Sequence, residues 1–213
     1  MKLSYVTDRK ALGGTAEEQV RLLLEKIAAV GNAGVDWIQI REKDLSGGAL
    51  GELVREAMRR VLPTCRILVN DRLDVAWSTG GAGVHLGEQS VPVAEARRFL
   101  RERPGGEAFV VGVSTHSLDA ALKAQEGGAD YVMFGPVFAT PSKAKFGAPQ
   151  GVARLAEVSA QVTIPVIAIG GITQENAQEC VRAGASGIAA IRLFQDAADV
   201  GVAVRALRSQ SQR

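Results

Sequence analysis

The stretch Val35-Asp-Trp-Ile-Gln-Ile-Arg-Glu-Lys43 joins a short apolar run to two cations at its end. A β-strand points successive side chains to opposite faces, so Gln39, Arg41 and Lys43 share one face. Burying a guanidinium or ammonium group is costly unless an anion meets it, and both groups bind phosphate oxygens. The pattern therefore indicates an anion-binding strand end. The alternative is a solvated strand end whose cations form surface salt bridges with Glu42 or Asp44.

Short apolar runs of this kind alternate with longer amphipathic stretches along the chain. The runs are rich in β-branched residues and mostly continuous, as in parallel strands that are buried on both faces. The predicted strands span residues 3–7, 37–41, 67–70, 83–86, 109–114, 131–134, 166–169 and 187–191. The predicted helices include residues 16–33, 49–61, 93–101, 118–126, 174–183 and 200–207, with N-caps at Thr15, Ser46, Ser117 and Thr173. This alternation predicts an α/β fold, a closed (β/α)8 TIM barrel.

A glycine precedes every second predicted strand and supports the barrel. These glycines are Gly34, Gly81, Gly128 and Gly184. Each ends a helix, about two β/α units from the next, where a left-handed residue turns the chain into the following strand. We expect one TIM-barrel domain over residues 1–208 and a flexible tail over residues 209–213. The alternative is an open doubly wound sheet, but no Gly-x-Gly-x-x-Gly follows the first strand.

The composition argues against several classes of protein. Lys and Arg number 25 against 23 Asp and Glu, and no basic run is interleaved with aromatic residues, so we expect no nucleic-acid partner. Cys65 and Cys180 stand far apart without a Cys-x-x-Cys motif, which favours reduced thiols in a cytoplasmic protein over a zinc site or a disulfide framework. No apolar run is long enough to cross a bilayer, and the N-terminal residues lack the apolar stretch of a signal peptide.

Polar residues gather where the predicted strands end, and a parallel barrel builds its active site there. Gly170 and Gly171 after the seventh strand, with Ile191-Arg192 after the eighth, predict a phosphate cradle of backbone N–H groups. The alternative for these glycines is a tight turn without a ligand. The loop after the sixth strand has the length of an active-site lid. It offers hydroxyl groups and a cation to anionic oxygens, from Thr140, Ser142 and Lys143.

Three titratable residues at these ends are candidates for chemistry or structure. Asp71, next to Asn70 after the third strand, is a candidate Mg²⁺ ligand, because Mg²⁺ takes few protein ligands and fills its shell with water and phosphate oxygens. A helix cap is the alternative role for this aspartate. His116 follows the fifth strand and is a candidate for proton transfer, although a structural role is commoner for a single strand-end histidine. We expect His85 to be a hydrogen-bonded wall residue.

The ordered set of these motifs resembles the thiamine phosphate synthase and thiazole tautomerase family over nearly the whole chain. The motifs are Gln39-x-Arg41-x-Lys43, Asn70-Asp71, Gly83-Val-His-Leu-Gly87, Val113-Ser-Thr-His116, Gly135-Pro-Val-Phe-x-Thr-x-Ser-Lys143, Pro149-Gln-Gly151 and Ala168-Ile-Gly-Gly-Ile172. The resemblance implies a (β/α)8 barrel in thiamine biosynthesis. Synthases of this family join an aminopyrimidine methyl diphosphate to a thiazole phosphate and release diphosphate with Mg²⁺. Tautomerases aromatise a thiazole carboxylate phosphate by moving a proton.

The resemblance also implies a role for each matching residue. In a synthase, the pyrimidine diphosphate is held by Gln39, Arg41, Lys43, Asn70 and Lys143, and Ser114 is a further substrate contact. The thiazole contacts are Thr140 and Ser142, and its phosphate is held by Gly171, Ile191 and Arg192. The implied catalytic residues are Arg41, Lys143 and His116, with Asp71 as the Mg²⁺ ligand. The implied partners are small phosphorylated molecules, and the family often forms homodimers.

Two positions depart from the synthase pattern. Ser90 stands where synthases carry a second metal-binding aspartate, and Arg192 stands where they usually carry a serine. Both departures favour the tautomerase, in which His116 moves the proton. The complete set of Gln39, Arg41, Lys43 and Asn70-Asp71 favours the synthase, which is the function that we predict. A third hypothesis is a non-catalytic barrel that binds a thiazole or thiamine phosphate.

Overall fold

Parallel strands close into a barrel in the computed structural model, which describes residues 1–140 and 148–210. Within these ranges eight strands pair in chain order, and β1 pairs with β8 to close the ring. The strands are β1 Lys2–Val6, β2 Trp37–Ile40, β3 Arg66–Asn70, β4 Gly83–Leu86, β5 Val110–Thr115, β6 Tyr131–Phe134, β7 Val166–Ile169 and β8 Gly187–Ala190. The predicted TIM barrel is confirmed, and each predicted strand overlaps an observed one.

Helices surround the strands and follow them along the chain. They are α1 Ala16–Asn32, α2 Gly47–Arg60, α3 Leu73–Ser78, α4 Val93–Arg101, α5 Leu118–Glu126, α6 Gly151–Gln161, α7 Ala177–Arg182, α8 Arg192–Gln195 and α9 Val200–Gln210. Short 3₁₀ helices span Arg9–Leu12 and Gly106–Ala108. Throughout the described ranges, no helix is long and apolar enough to cross a bilayer.

Side chains that accept backbone N–H groups begin three of the predicted helices. Thr15 and Glu18 form a reciprocal capping box at α1, while Ser46 and Ser117 accept N–H groups at α2 and α5. The predicted cap at Thr173 lies ahead of α7, which begins at Ala177 with Asn176 in the N-cap position. The Thr173 hydroxyl nevertheless accepts the Asn176 N–H at 3.4 Å, and the Asn176 side chain accepts the Thr173 N–H at 2.8 Å, which closes a turn before the helix.

Glycines with positive φ turn the chain before alternate strands. Gly34, Gly128 and Gly184 have φ values of 100°, 91° and 90°, as expected for left-handed helix ends. Before β4 the left-handed residue is Gly80, with a φ of 75°, and the predicted Gly81 is wrong by one position. Gly80 lies at the same sequence distance from its strand as the other three glycines do. The spacing of the left-handed glycines before the strands is therefore more regular than predicted.

The last helix continues past the predicted domain boundary at residue 208 and ends at Gln210. Arg208 on this helix donates to the Met1 carbonyl at 2.6 Å and to Asp36 Oδ2 at 2.7 Å. These bonds attach α9 to the start of β1 and to the residue before β2. Of the predicted tail, residues 211–213 lie outside the described part of the chain.

Apolar side chains fill the interior of the barrel. This inner cluster comprises Val6, Trp37, Leu68, Val110, Tyr131, Met133, Ile167 and Ala189. The Trp37 and Tyr131 rings lie 4.7 Å apart between centroids. A larger cluster lies between the outer strand faces and the helices. The inner cluster forms a packed floor beneath the carboxyl ends of the strands, the end at which barrels of this type build their active sites.

Gly112 on β5 makes room for the Tyr131 side chain inside this floor. The strand register pairs Gly112 with His85 on one side and with Tyr131 on the other. A Cβ atom at position 112 would lie 2.0 Å from Tyr131 Cζ and 2.4 Å from its hydroxyl oxygen. No side chain other than hydrogen fits at position 112 while Tyr131 keeps its place.

We expect Gly112→Ala to destabilise the barrel, because overpacking a closed core costs about 1–3 kcal/mol. In a chain of this size such a change lowers the Tm by roughly 3–10 °C. The matched control is Gly48→Ala on α2, where an added Cβ meets nothing within 4 Å. The control should be stabilised by about 0.5–1 kcal/mol through helix propensity. Thermal unfolding that shows equal Tm values for both variants would contradict the packing argument.

Candidate active site

The predicted site residues lie at the carboxyl ends of the strands, around one rim of the barrel. Gln39 and Asn70 are at the ends of β2 and β3, and Ser114 is near the end of β5. The residues just beyond a strand are Arg41 and Lys43 after β2, Asp71 after β3, His116 after β5, Thr140 after β6, Gly171 after β7, and Ile191 and Arg192 after β8. Ser142 and Lys143 lie outside the described residues. The barrel therefore brings residues from six strand ends to the same edge.

A buried ion cluster ties the end of β1 to the end of β2. Arg9 and Glu42 are only 6% and 5% exposed, and Arg9 Nη1 donates to Glu42 Oε2 at 2.9 Å. Arg9 also makes a two-pronged contact with Asp44, at 2.7 and 2.8 Å. Lys10 Nζ lies 3.0 Å from the same Asp44 carboxylate. Hydrogen bonds from Arg9 and Lys10 hold the pKa of Asp44 well below its ordinary value.

This cluster decides between the two interpretations of Arg41 and Lys43. Glu42 and Asp44 pair with Arg9 and Lys10, so the alternative of salt bridges from Arg41 or Lys43 to these acids is wrong. Within residues 1–140 and 148–210, neither Arg41 nor Lys43 pairs with a carboxylate. The Arg41 backbone N–H donates to Thr7 Oγ1 at 2.9 Å, and the Thr7 hydroxyl donates to Glu42 at 2.6 Å. The buried cluster thus fixes the backbone that carries the two cations.

A pair of amides lies beside these cations. Gln39 is 2% exposed, and its Nε2 donates to Asn70 Oδ1 at 2.9 Å. Gln39 Oε1 is buried and has no hydrogen-bond partner among the described residues. A buried acceptor without a partner is costly, so this oxygen indicates a place for a donor group of a ligand.

Asp71 occupies a backbone conformation that is unusual for an aspartate. Its φ is +65°, in the left-handed region, and its N–H donates to the His85 carbonyl at 2.8 Å. The carboxylate is exposed. Arg72 holds the N-cap position of α3, and no side chain caps this helix, so the alternative role of Asp71 as a helix cap is wrong. A strained residue at a strand end is typical of a functional position.

The donor set at Asp71 is small for a metal site. No group of three or more His, Cys, Asp and Glu residues able to hold a metal occurs in the described part of the chain. Ser90 Oγ accepts the Gly87 N–H at 2.8 Å, and Glu88 Oε1 accepts the His116 N–H at 3.0 Å. Asp71 alone fits an Mg²⁺ ion whose other ligands are water and phosphate oxygens.

Hydrogen bonds orient the ring of His116. Its Nδ1 contacts the Gly135 carbonyl oxygen, and its backbone N–H donates to Glu88. A carbonyl oxygen only accepts, so Nδ1 carries the proton, and Nε2 of the neutral ring keeps a lone pair. The ring is half-buried at the rim of the barrel. The contact therefore fixes the orientation of the ring and directs the Nδ1 proton to the Gly135 carbonyl.

His85 lies below the rim and contacts two hydroxyl groups. Its Nδ1 is 2.8 Å from Tyr131 Oη, and its Nε2 is 2.8 Å from Ser114 Oγ. Burial, and then the nearby charge of Arg41, lower the pKa of His85 to about 3, so the ring is neutral at physiological pH. The predicted role of a hydrogen-bonded wall residue is confirmed.

The glycines after β7 pack the loop that follows β6. Val137 and Phe138 donate backbone N–H groups to the Ile169 and Gly170 carbonyls at 2.9 and 3.0 Å. Gly171 has a φ of 64°, and a Cβ there would lie 2.5 Å from the Ala139 carbonyl oxygen. The close backbone approach predicted for these glycines is thus made by the β6 loop. The Gly171 N–H donates to no acceptor among the described residues, so it is available to a ligand.

Sequence reasoning missed two residues that shape the site. Arg9 directly follows the predicted polar end of β1, but its pairing with Glu42 joins residues 33 positions apart. Tyr131 was visible only as the start of an apolar run. Tyr131 and Met133 are two residues apart, so both side chains lie on the inner face of β6. This spacing could have predicted that the tyrosine ring lies inside the barrel.

Comparison with known proteins identifies the family of the chain. The family model described as thiamine monophosphate synthase matches residues 3–194. A thiamine-phosphate synthase of Methanoculleus marisnigri is 44% identical over 88% of this chain and 86% of its own. A thiamine-phosphate synthase of Chlorobium phaeobacteroides is 42% identical over 82% of each chain.

A solved structure agrees with these matches. The thiamine phosphate pyrophosphorylase from Pyrococcus furiosus superposes with a TM-score of 0.83 at 30% identity, over 99% of this chain and 95% of its own. A 3-hexulose-6-phosphate synthase, 18% identical with a TM-score of 0.74, shares the fold alone. The family model covers the strand ends described above. The chain belongs to the thiamine monophosphate synthase family.

Proposed function

We propose that the protein is a thiamine-phosphate synthase, a transferase that joins an aminopyrimidine methyl diphosphate to a thiazole phosphate and releases diphosphate. The observation that carries this proposal is the pair of cations Arg41 and Lys43, whose neighbouring acids Glu42 and Asp44 are engaged by Arg9 and Lys10. A site for a diphosphate needs cations that the protein itself does not neutralise. The relatives named thiamine-phosphate synthase support the same function.

The amide pair next to these cations fits the pyrimidine. Gln39 Oε1 lacks a partner among the described residues, and an aminopyrimidine presents an N–H donor that would satisfy it. The bond from Gln39 Nε2 to Asn70 fixes the direction of the Gln39 amide, with its oxygen as the free acceptor. Gln39 and Asn70 thus bind and orient the ring.

The cations act on the leaving group. The bond between the pyrimidine methyl carbon and the diphosphate oxygen breaks, and the diphosphate leaves with the electron pair. The thiazole nitrogen then donates its lone pair to the resulting carbocation and forms the new C–N bond. Arg41 and Lys43 stabilise the charge that develops on the diphosphate, and the resemblance assigns Lys143 the same role. The packed floor of the barrel keeps water from the cation on that side.

The ends of β7 and β8 fit the phosphate of the thiazole. The Gly171 N–H points to no acceptor in the described residues, and α8 begins with Ile191 as its N-cap. The first N–H groups of a helix have no partner within the helix, so they can donate hydrogen bonds to an anion. Arg192 is exposed and adds a guanidinium group at this helix start. The resemblance adds Thr140 and Ser142 as contacts to the thiazole.

Mg²⁺ belongs to this proposal with Asp71 as its protein ligand. When bound, the ion neutralises charge on the diphosphate. Ser90 has no carboxylate, so the second acidic ligand that the resemblance implies for synthases is missing at this position, and the Ser90 hydroxyl accepts the Gly87 N–H. Asp71 would hold the ion together with substrate oxygens and water. The proposal also includes that the protein forms a homodimer and acts in the cytoplasm.

The synthase is tested by its product. Incubation of the protein with both phosphorylated substrates and Mg²⁺ should form thiamine phosphate and diphosphate in equal amounts, measured by chromatography. The tautomerase remains an outcome of the same test because the oriented His116 ring can accept a proton. Aromatisation of a thiazole carboxylate phosphate without metal, abolished by His116→Ala, would replace the synthase by the tautomerase. Binding of thiamine phosphate without either reaction would leave the non-catalytic barrel.

We expect Arg41→Ala to lower kcat/KM for the pyrimidine diphosphate roughly 10²- to 10³-fold, as removal of one group that stabilises developing negative charge does. The matched control is Arg21→Ala, which removes an exposed arginine whose partner is Glu25 on the same helix. This control should keep its activity. Steady-state kinetics that show equal activities for both variants would exclude a role for Arg41 in the reaction.

Asp71→Asn should raise the Mg²⁺ concentration needed for half-maximal activity at least about tenfold, because the neutral amide is a weaker ligand for a hard cation. Asp74→Asn is the matched control, since Asp74 pairs with Arg72 on the neighbouring turn. An Mg²⁺ titration of the activity measures both. The assignment of Asp71 fails if the two variants need the same Mg²⁺ concentration as the wild type.

A further inference from the structure

Three polar side chains form a continuous chain inside the barrel, from its packed floor to its rim. Tyr131 Oη lies 2.8 Å from His85 Nδ1, and His85 Nε2 lies 2.8 Å from Ser114 Oγ. Tyr131 and His85 are 0% and 2% exposed. Ser114 is half-buried and stands above them on β5. The chain thus connects a fully buried hydroxyl to a hydroxyl at the substrate end of the barrel.

The strand register explains how these side chains meet. His85, Gly112 and Tyr131 stand at one level on β4, β5 and β6. Because Gly112 carries no side chain, the Tyr131 ring lies across it and its hydroxyl reaches His85. The ring also packs against Trp37, so its position does not depend on the hydroxyl alone. The contact is therefore built into the barrel.

The direction of each hydrogen bond follows from the buried tyrosine. Within residues 1–140 and 148–210, His85 Nδ1 is the acceptor within range of the Tyr131 hydroxyl. A buried O–H group without an acceptor is costly, so Tyr131 donates its proton to Nδ1. His85 is then the neutral ring with its proton on Nε2, and it donates to Ser114 Oγ. A protonated ring or the opposite tautomer would leave the Tyr131 proton without an acceptor.

The Ser114 hydroxyl proton is consequently directed away from His85. Its oxygen accepts from Nε2, so the remaining function of the group is to donate. Arg41 is near enough to His85 for its charge to act on the ring. A hydroxyl group held as a donor, at the rim that also carries Arg41, is suited to bind an anionic oxygen.

We propose that Tyr131 and His85 are positioning residues that hold Ser114 as a hydrogen-bond donor to an anionic oxygen of the diphosphate substrate. The part that concerns the substrate rests on the proposed synthase. The part that concerns the hydrogen bonds rests on the barrel alone. The two parts are tested by different measurements.

The first measurement is the tautomer of His85 by ¹⁵N NMR of histidine-labelled protein at pH 7. The chain has two histidines, so His116→Gln assigns both sets of ring signals. We expect His85 to show the neutral ring with the proton on Nε2 in the wild type, and a mixture of tautomers in Tyr131→Phe. A proton on Nδ1 in the wild type, or no change in Tyr131→Phe, would overturn the assigned direction.

The second measurement is a double-mutant cycle on activity. Ser114→Ala should lower kcat/KM for the pyrimidine diphosphate roughly ten- to hundredfold, as loss of a hydrogen bond to a charged group does. Tyr131→Phe should lower it about tenfold, and the double variant should be no worse than Ser114→Ala. Losses that multiply in the double variant would show that Tyr131 acts independently of Ser114, against the proposal.

Tyr5→Phe is the matched control for this cycle. It removes another buried tyrosine hydroxyl, which donates to Gln195 Oε1 at 2.7 Å and has no contact with His85. Its effect on kcat/KM should stay within about twofold, and it should leave the His85 tautomer unchanged. If the wild type forms no thiamine phosphate, the proposed function fails, and the ¹⁵N spectrum still decides the direction of the hydrogen bonds.

Discussion

The buried contact between Arg9 and the acids after β2 is the interaction on which the site depends. Arg9 engages both Glu42 and Asp44, and Thr7 links Glu42 to the backbone of Arg41. Glu42 and Asp44 are the sequence neighbours of Arg41 and Lys43, and they pair with Arg9 and Lys10. Removing a buried arginine partner also leaves an uncompensated carboxylate, which is strongly unfavourable. The same ions therefore stabilise the junction of β1 and β2 and keep two cations available for a substrate.

The barrel interior constrains the site in a second way: its lower part is packed with apolar side chains, and its rim is polar. Trp37, Tyr131 and their apolar neighbours exclude water below His85. Burial in this floor keeps the His85 ring neutral, so the rim receives hydrogen bonds of defined direction without a buried charge. Gln39 lies at the boundary between the two zones, with one amide atom bonded to Asn70 and the other without a partner in the described residues. Such packing holds the polar side chains of the rim in fixed positions, ready to bind a ligand.

Polar side chains hold the loops after β4 and β5 in place. Ser90 closes a local turn with Gly87, and Glu88 accepts the backbone N–H of His116. Both side chains therefore stabilise the backbone of the segment in which the resemblance implies a metal ligand for synthases. The Asp71 N–H donates to the His85 carbonyl, so the same histidine contacts both the end of β3 and the Ser114 hydroxyl.

The amino-acid sequence by itself determined the barrel, because strand and helix periods, caps at Thr15, Ser46 and Ser117, and helix-ending glycines are local signals. It also placed Gln39, Arg41, Asn70 and Ser114 at one rim, since parallel strands end together. The prediction missed by a few residues at two helix ends: α7 begins at Ala177 after the turn between Thr173 and Asn176, and Gly80 rather than Gly81 has the left-handed conformation. Only the tertiary structure decided that Arg9 neutralises Glu42 and Asp44, and that Tyr131 reaches His85 across Gly112. Both contacts join residues distant in sequence, and their energies depend on burial that no short stretch of chain can specify.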